Sequence, residues 1–391
     1  MAKKWISLLL IVAMCLTGLV LSMAEEDEED VSLAEYFAKQ SGQDPAQTGS
    51  EEPGATPAPE QQPVYELDGS TVVTMSFTGD VTIGSNVQSG GKSIFEKELE
   101  KQKGDLNFPF RNVKSIFDAD DLTVVNFEGT LTTAGRNRDK LGNQFLFRAP
   151  PEYAVMLPQG GVDAVSFENN HAMDMGEEGN QETKQALLSQ GIPYASEDEP
   201  AILEVKGVKI GLLAYQTFDG RHDELMEKVP QDIAALRQEG CEIVVVNYHW
   251  GAELDYAPNN NQVRLGRATV DGGADLVIGH HSRRINPIEL YNGKYICYSL
   301  GNFSFAGNSK PSDMSTYIFQ VKMRVKDGGV TTDGFIIIPC RISSRTDYND
   351  FAPTPYTKDQ SIESMLSVLK KNGANLQYAV EEYPLKWPGE D

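Results

Sequence analysis

From Ser70 onward, short apolar runs alternate with stretches of helical pattern. Runs rich in β-branched and aromatic residues occur at 72–77, 122–127, 164–167, 243–246 and 276–278 and predict buried strands. Helices are predicted at 181–190, 231–239 and 263–271, each followed directly by a glycine. This alternation is typical of βα units and predicts an α/β fold with a largely parallel sheet.

The pattern changes after residue 310. Residues 316–325 and 335–338 are β-rich and flank Asp327-Gly328-Gly329, which predicts an antiparallel hairpin. Residues 361–371 predict a short helix whose apolar face packs on the body, with Ile362, Met365, Leu366 and Leu369 on that face. We expect a folded domain over 70–345 and a C-terminal extension over 346–391.

The N-terminal 69 residues have a different composition. Lys3 and Lys4 precede an uncharged apolar stretch, and small residues at 22–24 stand at the usual processing position. Residues 1–24 are therefore predicted to be an export signal, either a cleaved signal peptide or a membrane anchor. Residues 25–69 are acidic and rich in proline, which predicts a disordered linker.

Composition narrows the class of protein further. The 391 residues carry 34 Lys and Arg against 57 Asp and Glu, a net charge of −23, which argues against a nucleic-acid partner. Among the four cysteines, Cys241, Cys297 and Cys340 lie in apolar runs and are predicted to be small core residues. The sequence contains no CxxC zinc motif and no GxxxxGK[ST] phosphate loop, and nothing in it indicates an oligomeric state.

Polar residues follow the predicted strands at their C-terminal ends, the edge of an α/β sheet where ligands bind. Each of them alone could be an ordinary turn or surface residue. Together they form a set of oxygen and imidazole donors that suits Mn²⁺, Fe or Zn²⁺. The set is Asp80, Glu128, Asn169, Asn170, His171, His249, His280 and His281.

Six motifs now suggest a family: Gly79-Asp80-Val81, Asn126-Phe127-Glu128-Gly129, Asn169-Asn170-His171, His249-Trp250-Gly251-Ala252-Glu253, Gly279-His280-His281 and Tyr298-Ser299-Leu300-Gly301-Asn302-Phe303. In order and spacing they resemble the CapA family of poly-gamma-glutamate capsule synthesis proteins, within the metallophosphatase-like superfamily. The resemblance implies a four-layer αββα sandwich with the site at the strand ends. It also implies a bacterial, extracytoplasmic protein that works with an anionic capsule polymer and a membrane polymer synthase complex.

The resemblance also implies residue roles. His171 would be the general acid, and Asp174 would hold its imidazole in the useful tautomer. Glu128 would be the bridging carboxylate of the metal site. The implied metal ligands are Asp80, Glu128, Asn170, His249 and His281.

Two departures reduce the expected metal site. Thr82 stands where metallophosphatases supply a histidine, which CapA-like sequences generally also lack, and Arg283 stands where the family's GHHPH run has its last imidazole. A guanidinium does not bind metal, so we expect one divalent ion, or none. The arginines could instead hold a carboxylate or phosphate, or form ordinary surface ion pairs. The predicted substrate-binding residues are His280, Arg283, Arg284 and Arg148, with Arg136 and Arg138 adding positive charge.

Three functions remain open from the sequence. The first is an accessory role in capsule polymer synthesis or export, in which the cleft binds the polymer or the synthase. The second is a divalent-metal-dependent hydrolase of phosphoester or acyl bonds, with a metal-bound hydroxide as nucleophile and His171 as general acid. The third is an unrelated cell-surface role on a retained fold.

Overall fold

The computed structural model describes residues 66–87, 92–135, 140, 145–218 and 220–389. The predicted signal or anchor, nearly all of the predicted linker, Arg136 and Arg138 lie outside this part. Its helices are α1 Ile94–Lys101, α2 Lys114–Phe117, α3 Met156–Gln159, α4 Gly176–Ser189, α5 His222–Gln238, α6 Asn260–Asp271 and α7 Asp359–Gly373. Its strands are β1 Thr71–Thr82, β2 Ser85–Asn86, β3 Leu122–Phe127, β4 Thr130–Leu131, β5 Phe147–Ala149, β6 Ala164–Ser166, β7 Tyr194–Ala195, β8 Ala201–Val205, β9 Val208–Thr217, β10 Ile243–Trp250, β11 Leu276–His280, β12 Ile288–Tyr291, β13 Lys294–Cys297, β14 Asn302–Phe305, β15 Ser315–Lys326, β16 Gly329–Arg341 and β17 Thr354–Pro355.

Most strands belong to two mixed sheets. The first has the order β17-β16-β15-β1-β3-β6-β7, with β14 also pairing with β1, and the second has the order β12-β13-β11-β10-β9-β8. Strands β1, β3, β6 and β7 pair in parallel, as do β9, β10, β11 and β13. The short strands β2, β5 and β4 form a small separate sheet. The parallel strands therefore present their C-terminal ends along one edge of each sheet.

The two large sheets pack face to face. Inward-facing side chains of β1 and of the second sheet share one apolar core, including Val73, Met75, Phe77, Leu212, Val245 and Ile278. The outer face of the first sheet packs on α1 to α4, and the outer face of the second packs on α5 and α6. These four layers confirm the predicted αββα sandwich.

The predicted elements are present, most of them with longer bounds. Helix α5 begins at His222, well before the predicted start at 231, and acidic residues in its first turn favour that start. The hairpin is antiparallel, with Ser315 opposite Arg341 and Lys326 opposite Gly329. Strand β9, which pairs with both β8 and β10, is missing from the sequence-based prediction.

The C-terminal extension packs on the body, as expected. Met365 and Leu369 of α7 join the core between the sheets. Backbone hydrogen bonds of 2.9 Å, from Leu290 N to Tyr378 O and from Val380 N to Ile288 O, attach the following segment to β12. The cysteines at 241, 297 and 340 are buried and free, as predicted. Within the described ranges, no helix is both long and apolar enough to cross a bilayer.

Candidate functional site

Two glycines bring the strand ends together. A Cβ on Gly79 would lie 1.9 Å from the Gly301 carbonyl oxygen, and a Cβ on Gly279 would lie 2.1 Å from that of Tyr298. Because only glycine permits this approach, β1 and β11 can pack on the backbone of 298–301. The next residues, Asp80 and His280, are thereby placed at the shared edge.

The turn after β11 has an unusual backbone. His281 has φ 89° and Arg283 has φ 56°, backbone values that residues other than glycine rarely adopt. The Ser282 hydroxyl donates a 2.8 Å hydrogen bond to the Arg284 carbonyl and stabilises the turn. Such strained positions cluster at functional sites, and here they set the directions of an imidazole and a guanidinium.

One half of the site, which we call the imidazole side, consists of Asn170, His249 and His281. Nε2 of His249 lies 2.9 Å from Oδ1 of Asn170 and 3.1 Å from Nδ1 of His281. Burial holds the pKa of His249 well below its usual value and lowers that of His281 to about 4. Both imidazoles are therefore neutral at pH 7.

The other half, which we call the carboxylate side, consists of Asp80, Glu128 and Arg283. Burial favours a high pKa for Asp80, but His280, Arg283 and the 2.8 Å hydrogen bond from Asn126 more than offset it and lower that pKa. Burial raises the pKa of Glu128 to about 8, although Arg283 opposes the shift. Glu128 Oε2 is buried and has no hydrogen-bond partner among the described residues.

Arg283 is fixed between two carboxylates. Its guanidinium donates to Glu128 Oε1 at 3.0 Å and to Glu253 Oε1 at 2.8 Å. It also lies 4.5 Å from the ring centre of Phe305. Burial disfavours its charged form, but Glu128 and Glu253 more than offset this and raise the pKa of Arg283. A permanent cation thus touches the buried Glu128.

His171 and Asp174 form a contact pair beside Glu128. Nδ1 of His171 lies 2.8 Å from Asp174 Oδ2, and its Nε2 lies 3.5 Å from Glu128 Oε1. Asp174 is fully buried, pairs with Lys140 and accepts a hydrogen bond from the Phe147 amide. Burial lowers the pKa of His171 despite the opposing effect of Asp174. The carboxylate keeps a proton on Nδ1, so Nε2 of the neutral ring is an acceptor facing Glu128.

The remaining predicted substrate-binding residues do not all lie at the same site. His280 is buried, with Nδ1 3.5 Å from Asp80 Oδ1. Arg284 lines a cavity beside Arg283. Arg148 is not brought to this site, because β5 places it in the small sheet, where it donates to the Ala134 carbonyl and lines a different depression.

The cavity beside Arg283 has a volume of about 530 Å³. Its apolar wall includes Phe145 and Leu254, whose exposures of 59% and 58% leave them open to solvent. Its polar wall includes Arg284, Asn302 and Ser312. A volume in the range of roughly 300–1,000 Å³ and this mixed lining are typical of small-ligand sites.

The two sides differ in their fit to a metal ion. The spacings of 2.9 and 3.1 Å on the imidazole side are those of neighbouring ligand atoms around one ion. Against this, the Asn126 amide nitrogen lies 3.3 Å from Nδ1 of His249, which places the ring proton on Nε2. On the carboxylate side the Arg283 guanidinium already contacts Glu128. In the part of the chain that the structure describes, no three His, Cys, Asp or Glu side chains are grouped to hold a metal. His249, His281 and Asn170 could hold one ion if the ring proton of His249 moved from Nε2 to Nδ1, a shift that would cost the contact with the Asn126 amide; the residues do not fit a second ion.

Three contributors were missed in the sequence. Asn126 contacts both Asp80 and His249. Its sequence position could have indicated a role, because it is the one side-chain amide in the wholly buried strand β3. Glu253 lies within a quoted motif, but its pairing with Arg283 had no sequence signal. Lys140, which pairs with Asp174, had none either.

The fold and site define a four-layer α/β protein whose strand-end centre combines neutral imidazoles with a guanidinium–carboxylate cluster. A profile of the family described as bacterial capsule synthesis protein PGA_cap matches residues 74–306, more than half of the chain. The chain belongs to this family.

Individual relatives agree with this assignment. The chain is 30% identical over 341 residues to the PGA biosynthesis protein CapA of Bacillus subtilis (strain 168), an alignment that covers 82% of this chain and 84% of that protein. It is 27% identical over 256 residues to the capsule biosynthesis protein CapA of Bacillus anthracis, with 60% of each chain covered. A crystal structure of a calcineurin-like phosphoesterase from Bacillus subtilis aligns with a TM-score of 0.46 at 13% identity, over 77% of this chain and 99% of that one. A likeness this distant indicates nothing about activity.

Proposed function

We propose that this protein acts in poly-gamma-glutamate capsule biosynthesis or export, outside the cytoplasm, and that its strand-end site binds the anionic polymer. Membership in the capsule synthesis family supports the pathway, as do the names of the two CapA relatives. The predicted export signal supports the location. A membrane polymer synthase complex is the expected partner.

The observation that carries the binding role is the contact between Arg283 and Glu128. A bridging carboxylate of a two-metal centre needs both oxygens for cations, whereas one oxygen of Glu128 accepts from a guanidinium at 3.0 Å. The site therefore contains a fixed positive charge in a chain whose net charge is −23. Without such a local cation, a strongly acidic protein would repel a polymer that carries one carboxylate per residue.

Each side of the site has a separate task in this proposal. The carboxylate side holds Arg283 in place, because Glu128 and Glu253 both accept hydrogen bonds from its guanidinium. The neutral imidazole side adds no negative charge to the cleft. If an ion binds there, it would supply a further positive charge for the polymer carboxylates.

The contact between His171 and Asp174 favours a second candidate function, a hydrolase of phosphoester or acyl bonds. The pair has the 2.8 Å contact that orients a catalytic imidazole. A general acid must carry a proton on Nε2, however, and burial lowers the pKa of His171. This arrangement suits a proton acceptor at neutral pH better than a donor.

Binding and turnover of defined poly-gamma-glutamate by the purified full-length protein separate the two functions. We expect salt-sensitive binding, no shortening of the polymer with or without added Mn²⁺ or Zn²⁺, and weaker binding by Arg283→Gln. The matched control is Arg345→Gln, which removes an exposed arginine paired with Asp347. Shortening that is lost in His171→Ala would establish the hydrolase instead, and absence of binding would reject the polymer role.

The location needs its own test. Externally added protease should degrade the protein on intact cells of its host, while a cytoplasmic marker survives. Protection of the protein until the cells are lysed would contradict the extracytoplasmic proposal.

A further inference from the structure

The two neighbouring arginines of the turn have different surroundings. Arg283 makes ion pairs with Glu128 and Glu253. Arg284 makes no ion pair with any described residue, although it is only 7% exposed. Its terminal nitrogens donate to neutral oxygens, one to the Arg283 carbonyl at 2.8 Å and the other to the Ser312 hydroxyl at 3.0 Å.

This arrangement leaves most of the hydrogen-bonding capacity of Arg284 unused. Of the five N–H groups of a guanidinium, two have acceptors here, and the buried Nε has none among the described residues. The ring of Tyr256, 5.5 Å away, holds the group in place without neutralising it. A buried charge without a counter-charge is costly, so proteins retain one mainly where a ligand supplies the opposite charge.

The cavity beside Arg284 indicates what that ligand contains. Asn302, which is 6% exposed, lines the same cavity, and its Oδ1 has no hydrogen-bond donor among the described residues. It is an acceptor suited to an amide N–H. Phe145 and Leu254 line the same cavity and suit methylene groups. Glu253 at the rim is paired with Arg283, which offsets its repulsion of an anion.

We propose that this cavity is a subsite for one unit of an amide-linked acidic chain, in which Arg284 binds the carboxylate and Asn302 accepts the amide hydrogen. The inference rests on the proposed function and adds the unit that the protein recognises. Arg283 is the counter-ion of Glu128 and Glu253 and adds positive charge to the cleft, whereas Arg284 binds the carboxylate of the unit. The subsite distinguishes an amide-linked polycarboxylate from an anion that offers charge alone.

Calorimetric titration of the full-length protein tests this subsite with the γ-linked glutamate dipeptide. Arg284→Gln should weaken binding of the dipeptide by at least about tenfold, since a charge-assisted hydrogen bond is lost. The affinity of Arg284→Lys for the dipeptide should lie between those of the wild type and Arg284→Gln. The matched control Arg264→Gln removes an exposed arginine and should leave binding unchanged. Asn302→Ala should weaken the dipeptide but not glutarate, which has two carboxylates and no amide.

Thermal unfolding provides a second measurement, which shows whether each protein is folded and whether the ligand stabilises it. The dipeptide should raise the Tm of the wild type and not that of Arg284→Gln. Inorganic phosphate should raise the Tm of the wild type less than the dipeptide does. Equal binding by wild type and Arg284→Gln, or no binding of the dipeptide to the wild type, would overturn the subsite. If long poly-gamma-glutamate still binds in those cases, the proposed function is supported although the subsite is rejected. If the dipeptide binds and the polymer does not, the proposed function is rejected although the subsite is supported.

Discussion

The imidazole side of the site is neutral, whereas the carboxylate side is ionic, although both are buried at the same strand edge. On the imidazole side, burial lowers the pKa values of His249 and His281, and the groups are satisfied by short contacts with each other and with Asn170. On the carboxylate side, Arg283 supplies a permanent charge to Glu128. The difference shows that one edge of a sheet can hold neutral imidazoles beside a buried guanidinium–carboxylate cluster.

The largest expected effect comes from removing Arg283. Arg283→Met leaves the Glu128 carboxylate buried without its cation, and we expect a loss of about 3–5 kcal/mol in the free energy of unfolding above pH 8, measured by chemical denaturation. Below pH 8 the loss will be smaller, because Glu128, whose pKa is raised to about 8, is then mostly protonated. The control Arg345→Met breaks an exposed pair and should cost less than about 1 kcal/mol.

A double variant distinguishes lost charge from lost packing. Arg283→Met combined with Glu128→Gln removes both charges and should recover much of the stability that the single variant loses. If Arg283→Met costs no more than Arg345→Met, Arg283 is not the internal counter-ion and the ionic half of the comparison fails.

The distinction between the sides was only partly visible in the sequence. The strand-end residues could be predicted because parallel strands share one C-terminal edge, and the α/β class followed from the alternation of strands and helices. The four layers were expected only from the resemblance to a known family. The partners of Arg283 could not be predicted, since Glu128 is 155 residues away and the contact depends on a turn whose φ angles no sequence pattern indicates. The position of Arg148 in the small sheet of β2, β5 and β4 could not be predicted, because such short strands leave no recognisable sequence signal.

The two sides should respond to pH in opposite directions. The pKa of Glu128 is raised from 4.5 to about 8, so its contribution to stability is full below pH 4.5 and is lost as pH rises toward 8. The pKa of His281 is lowered from 6.5 to about 4, so its contribution is full above pH 6.5 and is lost as pH falls toward 4. Unfolding free energies across pH 4–8 should therefore lose the alkaline decline in Glu128→Gln and lose part of the acid decline in His281→Asn. A Glu128→Gln profile parallel to that of the wild type would contradict this assignment.

A smaller loss of stability is expected on the neutral side. His249→Leu leaves Asn126 and Asn170 without one neutral partner each, and the expected cost is about 1–3 kcal/mol, below that of Arg283→Met. His222→Leu replaces another buried histidine, at the start of α5, and serves as the matched control. A cost for His249→Leu above that of Arg283→Met would reverse the comparison.

The smallest expected effect is that of an added metal ion. The imidazole side offers three neutral donors to one ion, and His249 must first move its ring proton from Nε2 to Nδ1, which costs its contact with the Asn126 amide. We therefore expect Mn²⁺ or Zn²⁺ at millimolar concentration to stabilise the wild type by about 1 kcal/mol or less, with no more than one ion bound. His249→Ala should abolish that stabilisation, and Arg283→Met should preserve it, because the ion and the guanidinium belong to different sides. Two ions bound to the wild type would show that the carboxylate side also holds a metal and that Arg283 moves away from Glu128. An ion that is lost in Arg283→Met but kept in His249→Ala would likewise place the metal on the carboxylate side.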